Sequence, residues 1–340
     1  MTVDNPIVCV LLPVRDAEQF LDVCIASLER QTLRDFEVVA VDDGSTDRSA
    51  AILDAWAERD SRVRVIHQPA IGLVAALNTG LELCKAPFVA RMDADDVSHP
   101  RRLELQARAL EKEPDLGVIS CRVRHFPWHR VGQGFRIYEA WLNSLVTPEE
   151  IERERFVESP VAHPSAMLRR EVAERFGGYR DLGWPEDYEL WLRLLEAGVR
   201  VGKLDPYLYF WREHGERLTR RDSRYSVENF LRCKAHYLLS GPLAKCHRVV
   251  LWGAGQTGRR LSKHLLRGGA PVAAFVDIDP DKVGRTLRGK PIVGSEVLPA
   301  LLGDDTVVLA AVASRGARAL IREQLDALGL AEGRDYWCVA

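Results

Sequence analysis

The chain has 340 residues, 46% of them hydrophobic, with 47 Lys and Arg against 49 Asp and Glu and a formal net charge of -2. So even a balance gives no overall field for gripping nucleic acid, and the length exceeds one ordinary domain, so a large domain followed by a small one is expected. No apolar run approaches the roughly 20 residues that span a bilayer and no basic leader precedes the first strand, so a soluble, cytoplasmic protein is expected, at most peripheral to the inner face of a membrane.

Ile7 to Leu12 is a continuous apolar run of strand length, Phe20 to Leu28 carries apolar residues at helical spacing, and Phe36 to Val41 returns to strand. A helix over Ala50 to Trp56, a strand over Val63 to Ile66, a helix over Val74 to Leu83 and a strand over Phe88 to Met92 continue the alternation. The pattern predicts α/β architecture with a doubly wound parallel sheet, whose ligands sit beyond the carboxyl ends of the strands. The loops after Leu12, Val41 and Met92 should therefore converge. They carry Pro13, Arg15 and Asp16, then Asp42 to Asp47, then Asp93, Asp95 and Asp96.

The last of these loops says most. Three carboxylates crowded at a strand end repel one another unless a divalent cation neutralises them, and hard oxygen ligands in that number suit magnesium or manganese still free to hold a phosphate. The plainer reading is an acidic turn that caps the helix starting near His99-Pro100. The Asp42 to Asp47 loop has a plain reading too, as turn formers with Asp47 capping the next helix. Against it stands position: a carboxylate at a strand's carboxyl end, Asp43 above all, can accept the imide N–H of a uracil ring or a ribose hydroxyl. The seven cysteines (Cys9, Cys24, Cys84, Cys121, Cys233, Cys246 and Cys338) follow no metal or dithiol spacing and are expected as reduced core thiols.

Pro13-Val14-Arg15-Asp16, Val41 to Asp47, Gly72 to Gly80 and Arg91-Met92-Asp93-Ala94-Asp95-Asp96 occur in that order. Ala162 to Met167, Gly177-Gly178-Tyr179, Glu186 to Trp191 and Trp211-Arg212-Glu213-His214 follow. Together, over roughly the first two thirds of the chain, they resemble the family 2 glycosyltransferases with the nucleotide-sugar-binding GT-A fold. The resemblance implies a domain over residues 1–240 that moves a sugar, with inversion, from a nucleoside diphosphate, UDP foremost, to an acceptor hydroxyl on a saccharide or lipid-linked saccharide in surface polysaccharide assembly. It implies that Pro13 and Asp16 line the base pocket, Asp43 meets the base, Asp93 lies near the ribose or sugar, and Asp95, with Asp96 sharing the load, binds the metal. Arg212 and His214 would stand near metal and diphosphate, His214 as a ligand, and Asp187 of the Glu186-Asp187 pair would be the catalytic base. One departure is Ala76-Leu77-Asn78, where many relatives carry an arginine before the asparagine.

Asp187 follows Gly183-Trp184-Pro185 and starts a helix to Leu195, so a cap is its plain role. A helix N-terminus tends to keep a carboxylate ionised, so strong basicity would have to come from burial or from Glu186. His163, beside a proline, reads as structural more than as a ligand. Trp128, Phe135, Tyr138 and Trp141 lie where an acceptor is expected, although core packing is the plainer account. The cationic stretch from Arg212 to Arg224 reads equally as a solvated loop or as a lid over the phosphates.

Ser240-Gly241-Pro242 interrupts the helical pattern of Tyr225 to Leu239 and predicts a second, Rossmann-like domain over residues 245–340. There Arg248 to Trp252 is a strand, Gly253, Gly255 and Gly258 open a helix, and Val272 to Val276 ends at Asp277, the context of a nucleotide site. The alternative is a half-sized module whose glycines serve helix–strand packing and bind no nucleotide. A nicotinamide-dependent oxidoreductase acting through this module is the rival function. It lacks a tyrosine-lysine pair at helical spacing after the glycine loop. A homo-oligomer is a further expectation.

Overall fold

The computed structural model describes residues 6–340, and these form two compact units. The first takes the chain up to residue 151 with 161–182 and 197–221; the second takes 152–160, 183–196 and 222–340.

In the first unit eight strands make one sheet: β1 (Val8–Val14), β2 (Phe36–Asp43), β3 (Val63–Gln68), β4 (Phe88–Arg91), β5 (Val97–Ser98), β6 (Leu116–Phe126), β7 (Met167–Arg169) and β8 (Arg200–Arg212), in the order β3-β2-β1-β4-β7-β6-β8-β5. β1 is buried along its whole length, as a strand covered on both faces must be, which is why it reads as an unbroken apolar run. It pairs in parallel with β2 and β4. β7 is antiparallel to both β4 and β6, and β6 is parallel to β8. Two reversals restore direction, so β1, β2, β4, β6 and β8 end on one edge.

Leu21, Cys24, Ile25 and Leu28 of the helix Glu18–Glu29 recur at helical spacing and pack in the core that holds Val8, Val10 and Leu12 of β1. Burial of each such side chain contributes about 1.5–3 kcal/mol. Gly44, between β2 and the next helix, has φ +68, and a Cβ there would lie 2.7 Å from the Ala70 nitrogen. Only glycine fits so close an approach in the left-handed region.

The second unit carries a six-stranded sheet of β9 (Arg248–Trp252), β10 (Val272–Val276), β11 (Thr286–Leu287), β12 (Lys290–Val293), β13 (Thr306–Ala310) and β14 (Tyr336–Cys338), ordered β11-β12-β10-β9-β13-β14. Tyr188 and Leu192 of the helix Glu186–Glu196, and Leu231, Cys233 and Leu238 of the helix Val227–Ser240, share its core with Leu251, Leu261 and Phe275. Both helices precede the break at Ser240-Gly241-Pro242, so apolar packing rather than chain order assigns them to this unit.

One expectation is corrected. Cys9 on β1 and Cys84, just after the helix Leu73–Leu83, form a disulfide with Cα atoms 5.6 Å apart. The sequence hides the pairing because 75 residues separate the two, and only the packing of the connecting helices on the sheet brings them together. Cys24, Cys121, Cys233, Cys246 and Cys338 are free.

A Cβ at Gly258 would lie 1.8 Å from the Gly253 carbonyl oxygen. Gly258→Ala should therefore destabilise the second unit by about 1–3 kcal/mol in urea denaturation. Gly134→Ala, with nothing within 4 Å of the new methyl, should leave stability unchanged or raised.

Candidate active site

Beyond β4 the chain turns through Met92 to Asp96 and enters β5, which pairs with β8. The turn brings together ligand atoms of Asp93, Asp95 and Asp96 that all lie within 4.8 Å of one another. Arg91, only 1% exposed at the end of the apolar strand, donates to Asp93 Oδ1 at 2.6 Å and also to the Met92 carbonyl. Asp95 Oδ2 accepts from His214 Nε2 at 2.7 Å. Asp96 is fully buried and accepts from the Tyr209 hydroxyl at 2.8 Å and the Arg212 backbone N–H at 2.6 Å.

Burial raises the Asp93 carboxyl above the usual carboxylate range, with Asp95 adding to the rise and Arg91 working against it. Burial, then Asp95 and Asp93, push Asp96 well above that range. The sum is a cluster in which concentrated negative charge is held at a cost. Hard carboxylate oxygens beside an imidazole suit manganese or magnesium, and the buried His214 Nδ1 has no hydrogen-bond partner among the described residues. The donor set fits a divalent cation, with Asp95 and His214 as the residues that would hold it.

The loops after β1 and β2 are tied to each other. Asp16, at φ 48, accepts from the Thr46 backbone N–H at 2.7 Å, and Asp47 accepts from Glu18 N–H at 3.0 Å and Ser49 N–H at 2.9 Å. The N-cap position of the helix Ser49–Arg59 is Arg48, without a side-chain cap, so Asp47, one residue outside it, braces the two helix starts. Burial raises the Asp42 carboxyl, but hydrogen bonds from Ser45 and His67 outweigh it and hold the group below its ordinary value. Asp43, 3% exposed, accepts from Gln68 Nε2 at 2.8 Å, Ile71 N–H at 3.0 Å and Gly72 N–H at 2.9 Å, with Arg15 at 3.4 Å. Pro13 lies buried on β1 in register with Val41.

Three of the motif strings meet at one place. Asn78 Nδ2 donates to the Tyr179 carbonyl and Asn78 Oδ1 accepts the Tyr179 N–H, each at 2.9 Å, while the Tyr179 hydroxyl lies 2.9 Å from His163 Nε2. Burial lowers the His163 imidazole well below its ordinary value. His163 is thus engaged within the protein by the Tyr179 hydroxyl.

The cationic stretch is internally neutralised. Glu213, 2% exposed, pairs with Arg217 at 3.3 Å and with Arg220. Arg212 donates through Nε to the Asp95 carbonyl at 2.6 Å and lies over the Phe126 ring at 4.5 Å and the Phe20 ring at 5.0 Å. Arg217 covers Trp211 at 4.6 Å. Of the aromatic candidates, Trp128 is 50% exposed, whereas Tyr138 and Trp141 pack against the core. Arg91, Tyr209 and the Glu213–Arg217 pair were not singled out from sequence. A charged residue ending the buried strand Phe88 to Arg91 was the one available signal, because buried charge demands a partner.

In the second unit Glu186 is buried, with both oxygens accepting from the Tyr225 hydroxyl at 2.8 and 2.9 Å and Arg224 at 3.7 Å. Asp187, partly buried, starts the same helix and accepts the Tyr188 N–H at 2.7 Å. Burial, followed by the Glu186 carboxylate, pushes the Asp187 carboxyl up to about 8, so the helix-terminal hydrogen bond loses to desolvation. In the glycine loop Gly253 has φ +122, and Asp277 accepts the Ala254 N–H at 2.9 Å and the Asp279 N–H at 3.0 Å, with Lys282 at 3.3 Å. Gly255 precedes the helix Gln256–Arg267 without a side-chain cap.

The family model described as glycosyl transferase family 2 matches residues 9–177. The amylovoran biosynthesis glycosyltransferase AmsE of Erwinia amylovora is 30% identical over 208 residues, covering 61% of this chain and 76% of its own. The chain belongs to glycosyl transferase family 2. It is 31% identical over 231 residues to the uncharacterized glycosyltransferase EpsJ of Bacillus subtilis and spans 63% of that relative's length. It is 28% identical over 241 residues to the UDP-Gal:alpha-D-GlcNAc-diphosphoundecaprenol beta-1,3-galactosyltransferase of Escherichia coli, covering 70% of this chain and 84% of that one. S. aureus TarS, in its complex with UDP-GlcNAc, shares the fold with a TM-score of 0.57 at 19% identity, over 76% of this chain and 72% of its own. The GT-A-like α/β architecture agrees with the family, a second sheet being added. Asp187, Arg212 and His214 lie beyond the family-matched residues.

If Asp187 serves as a base, its carboxylate, titrating at about 8, is present above that pH and lost as pH falls through it. Catalytic efficiency should therefore drop about tenfold per pH unit below an ascending limb near pH 8. A rate that is flat down to pH 5 would remove Asp187 from the reaction.

Proposed function

We propose that this family member is an inverting, metal-dependent glycosyltransferase that moves a sugar from a UDP-linked donor to a hydroxyl of a saccharide or lipid-linked saccharide in surface polysaccharide assembly. The observation that carries the reading is the Asp95–His214 pair within the three-carboxylate turn beyond β4, the edge where a parallel sheet receives ligands. UDP and a lipid-linked acceptor are supported by the E. coli relative, whose name states both. AmsE supports polysaccharide assembly. A cytoplasmic setting with peripheral membrane contact suits such an acceptor, and no helix among the described residues is long and apolar enough to cross a membrane.

Manganese or magnesium held by Asp95 and His214 would supply Lewis-acid stabilisation of the departing diphosphate. The chain's own residues do the rest. Asp43 and the Pro13–Asp16 loop bound the base pocket, with Asp43 kept rigid by the N–H groups of Ile71 and Gly72. Asp93, steadied by Arg91, faces ribose or sugar hydroxyls. The Arg212 guanidinium, partly engaged by the Asp95 carbonyl, keeps further donors for phosphate oxygens. Asp187 takes the acceptor hydroxyl's proton as its oxygen attacks the anomeric carbon, a single displacement that inverts configuration. Glu186, clamped by Tyr225, raises the basicity of Asp187 and stands back from the proton transfer.

The 245–340 module is read as an accessory domain. Asp277 spends its oxygens on Ala254 and Asp279 N–H groups, which favours the packing role of its glycines over a bound nucleotide. The family match over residues 9–177 favours sugar transfer over the oxidoreductase alternative as the chain's function.

Incubation with manganese and a panel of nucleotide sugars, scored by donor hydrolysis and thermal shift, tests the proposal. Asp95→Ala should lower turnover roughly 100-fold or more and abolish the response to manganese. An unaltered metal dependence would overturn it. Asp187→Asn should cut transfer by about 100- to 10,000-fold with donor affinity kept, and equal loss of both would refute its role as base.

A further inference from the structure

The three carboxylates of the acidic turn are neighbours, yet they are not equivalent. Among the described residues the side chain that Asp95 meets is His214, whose other ring nitrogen has no hydrogen-bond partner there. Asp96 has a protein donor on each oxygen: the Tyr209 hydroxyl on Oδ2 and the Arg212 N–H on Oδ1. The same Tyr209 oxygen accepts the Asp93 N–H at 3.2 Å, so one buried phenol touches both ends of the turn. Tyr209 is fully buried, its ring lies under the Arg102 guanidinium at 4.9 Å, and its backbone is paired with Ser98 just past the turn. From Tyr209 the strand continues to Arg212, which donates to the Asp95 carbonyl, and the chain then reaches His214.

We propose that Asp96 and Tyr209 are positioning residues: they latch the acidic turn to β8 and thereby hold Arg212 and His214 beside Asp95, while Asp96 itself takes no part in ligating the cation. This rests on the metal-dependent reading above and assigns the work within it. As a ligand, Asp96 would have to offer a cation the second lone pair of an oxygen already engaged by a buried donor, and any turn of the carboxylate toward the ion would strip the Tyr209 hydroxyl or the Arg212 N–H of its partner, a desolvation cost of about 1–3 kcal/mol for each. A ligand with free lone pairs stands one residue away. The latch also explains why the sequence needs a tyrosine at 209, inside an otherwise apolar stretch of β8, where phenylalanine would fill the same space.

The test uses manganese alone. Its affinity for the whole chain is read from the electron paramagnetic resonance signal of the free ion, beside the unfolding midpoint, for wild type, Asp95→Asn, Asp96→Asn and Tyr209→Phe. Asp95→Asn should lose manganese affinity by roughly 100-fold or more. Asp96→Asn, whose amide still accepts the Arg212 N–H, should stay within about threefold. Tyr209→Phe, which keeps the ring and drops the latch, should lose about tenfold or more, and the double variant Asp96→Asn/Tyr209→Phe should be no weaker than Tyr209→Phe alone. Tyr336→Phe removes another buried phenol-to-carboxylate bond, to Asp326 in the second unit, and should lower the unfolding midpoint without touching manganese affinity. Loss in Asp96→Asn equal to that in Asp95→Asn would make Asp96 a ligand and overturn the proposal, and so would unchanged affinity in Tyr209→Phe. A wild-type chain that binds no manganese would sink the metal-dependent reading and the latch with it.

Discussion

Mutual repulsion among Asp93, Asp95 and Asp96 sets the terms for the rest of the first unit. A folded chain with three neighbouring carboxylates, one of them fully buried, needs a cation, protons or a ring of donors to be tolerable. This chain meets them unequally: Arg91 serves Asp93, the Tyr209 hydroxyl and the Arg212 N–H occupy both oxygens of Asp96, and His214 meets one oxygen of Asp95. Asp95 is left with an imidazole that can itself serve as a ligand. The uneven distribution of donors is what favours the proposed metal site over a merely acidic bend, because it leaves one carboxylate less engaged than the two fixed around it.

The same logic governs the supporting loops. Asp43 satisfies the backbone of residues 71 and 72, Asp16 that of Thr46, and Asp47 that of Glu18 and Ser49. Each carboxylate is both a structural brace and a group at the edge where a nucleotide is expected, so preorganisation of the pocket and stability of the loops are one set of hydrogen bonds. Asn78 braces the Gly177-Gly178-Tyr179 turn through a reciprocal pair of bonds, which gives that side chain a purpose independent of the arginine absent beside it.

Much of this was legible beforehand. The apolar runs of β1, β2 and β4 announced a buried parallel sheet, and the polar loops after them announced its ligand edge. What stayed hidden involves distance along the chain. The Cys9–Cys84 disulfide joins residues that no spacing rule connects, Tyr209 reaches Asp96 across more than a hundred residues, and the helix Glu186–Glu196 buries its apolar face in the second unit although it precedes the Ser240-Gly241-Pro242 break. Asp187 shows a contest that sequence cannot decide. A helix N-terminus and burial act on its carboxyl in opposite directions, and only the surrounding packing reveals that burial wins.

The antiparallel β7, lodged between β4 and β6, has a consequence for geometry. Adjacent strands lie about 4.8 Å apart, so the intervening ribbon holds β4 and the facing part of β6, around Val118 and Ile119, roughly 10 Å from each other. Because β7 runs the opposite way, it contributes its beginning rather than its end to that rim, here the short segment from His163 to Ala166. Between the end of β4 and the middle of β6 the sheet is therefore bordered by backbone entering a strand, while its neighbours there are leaving theirs.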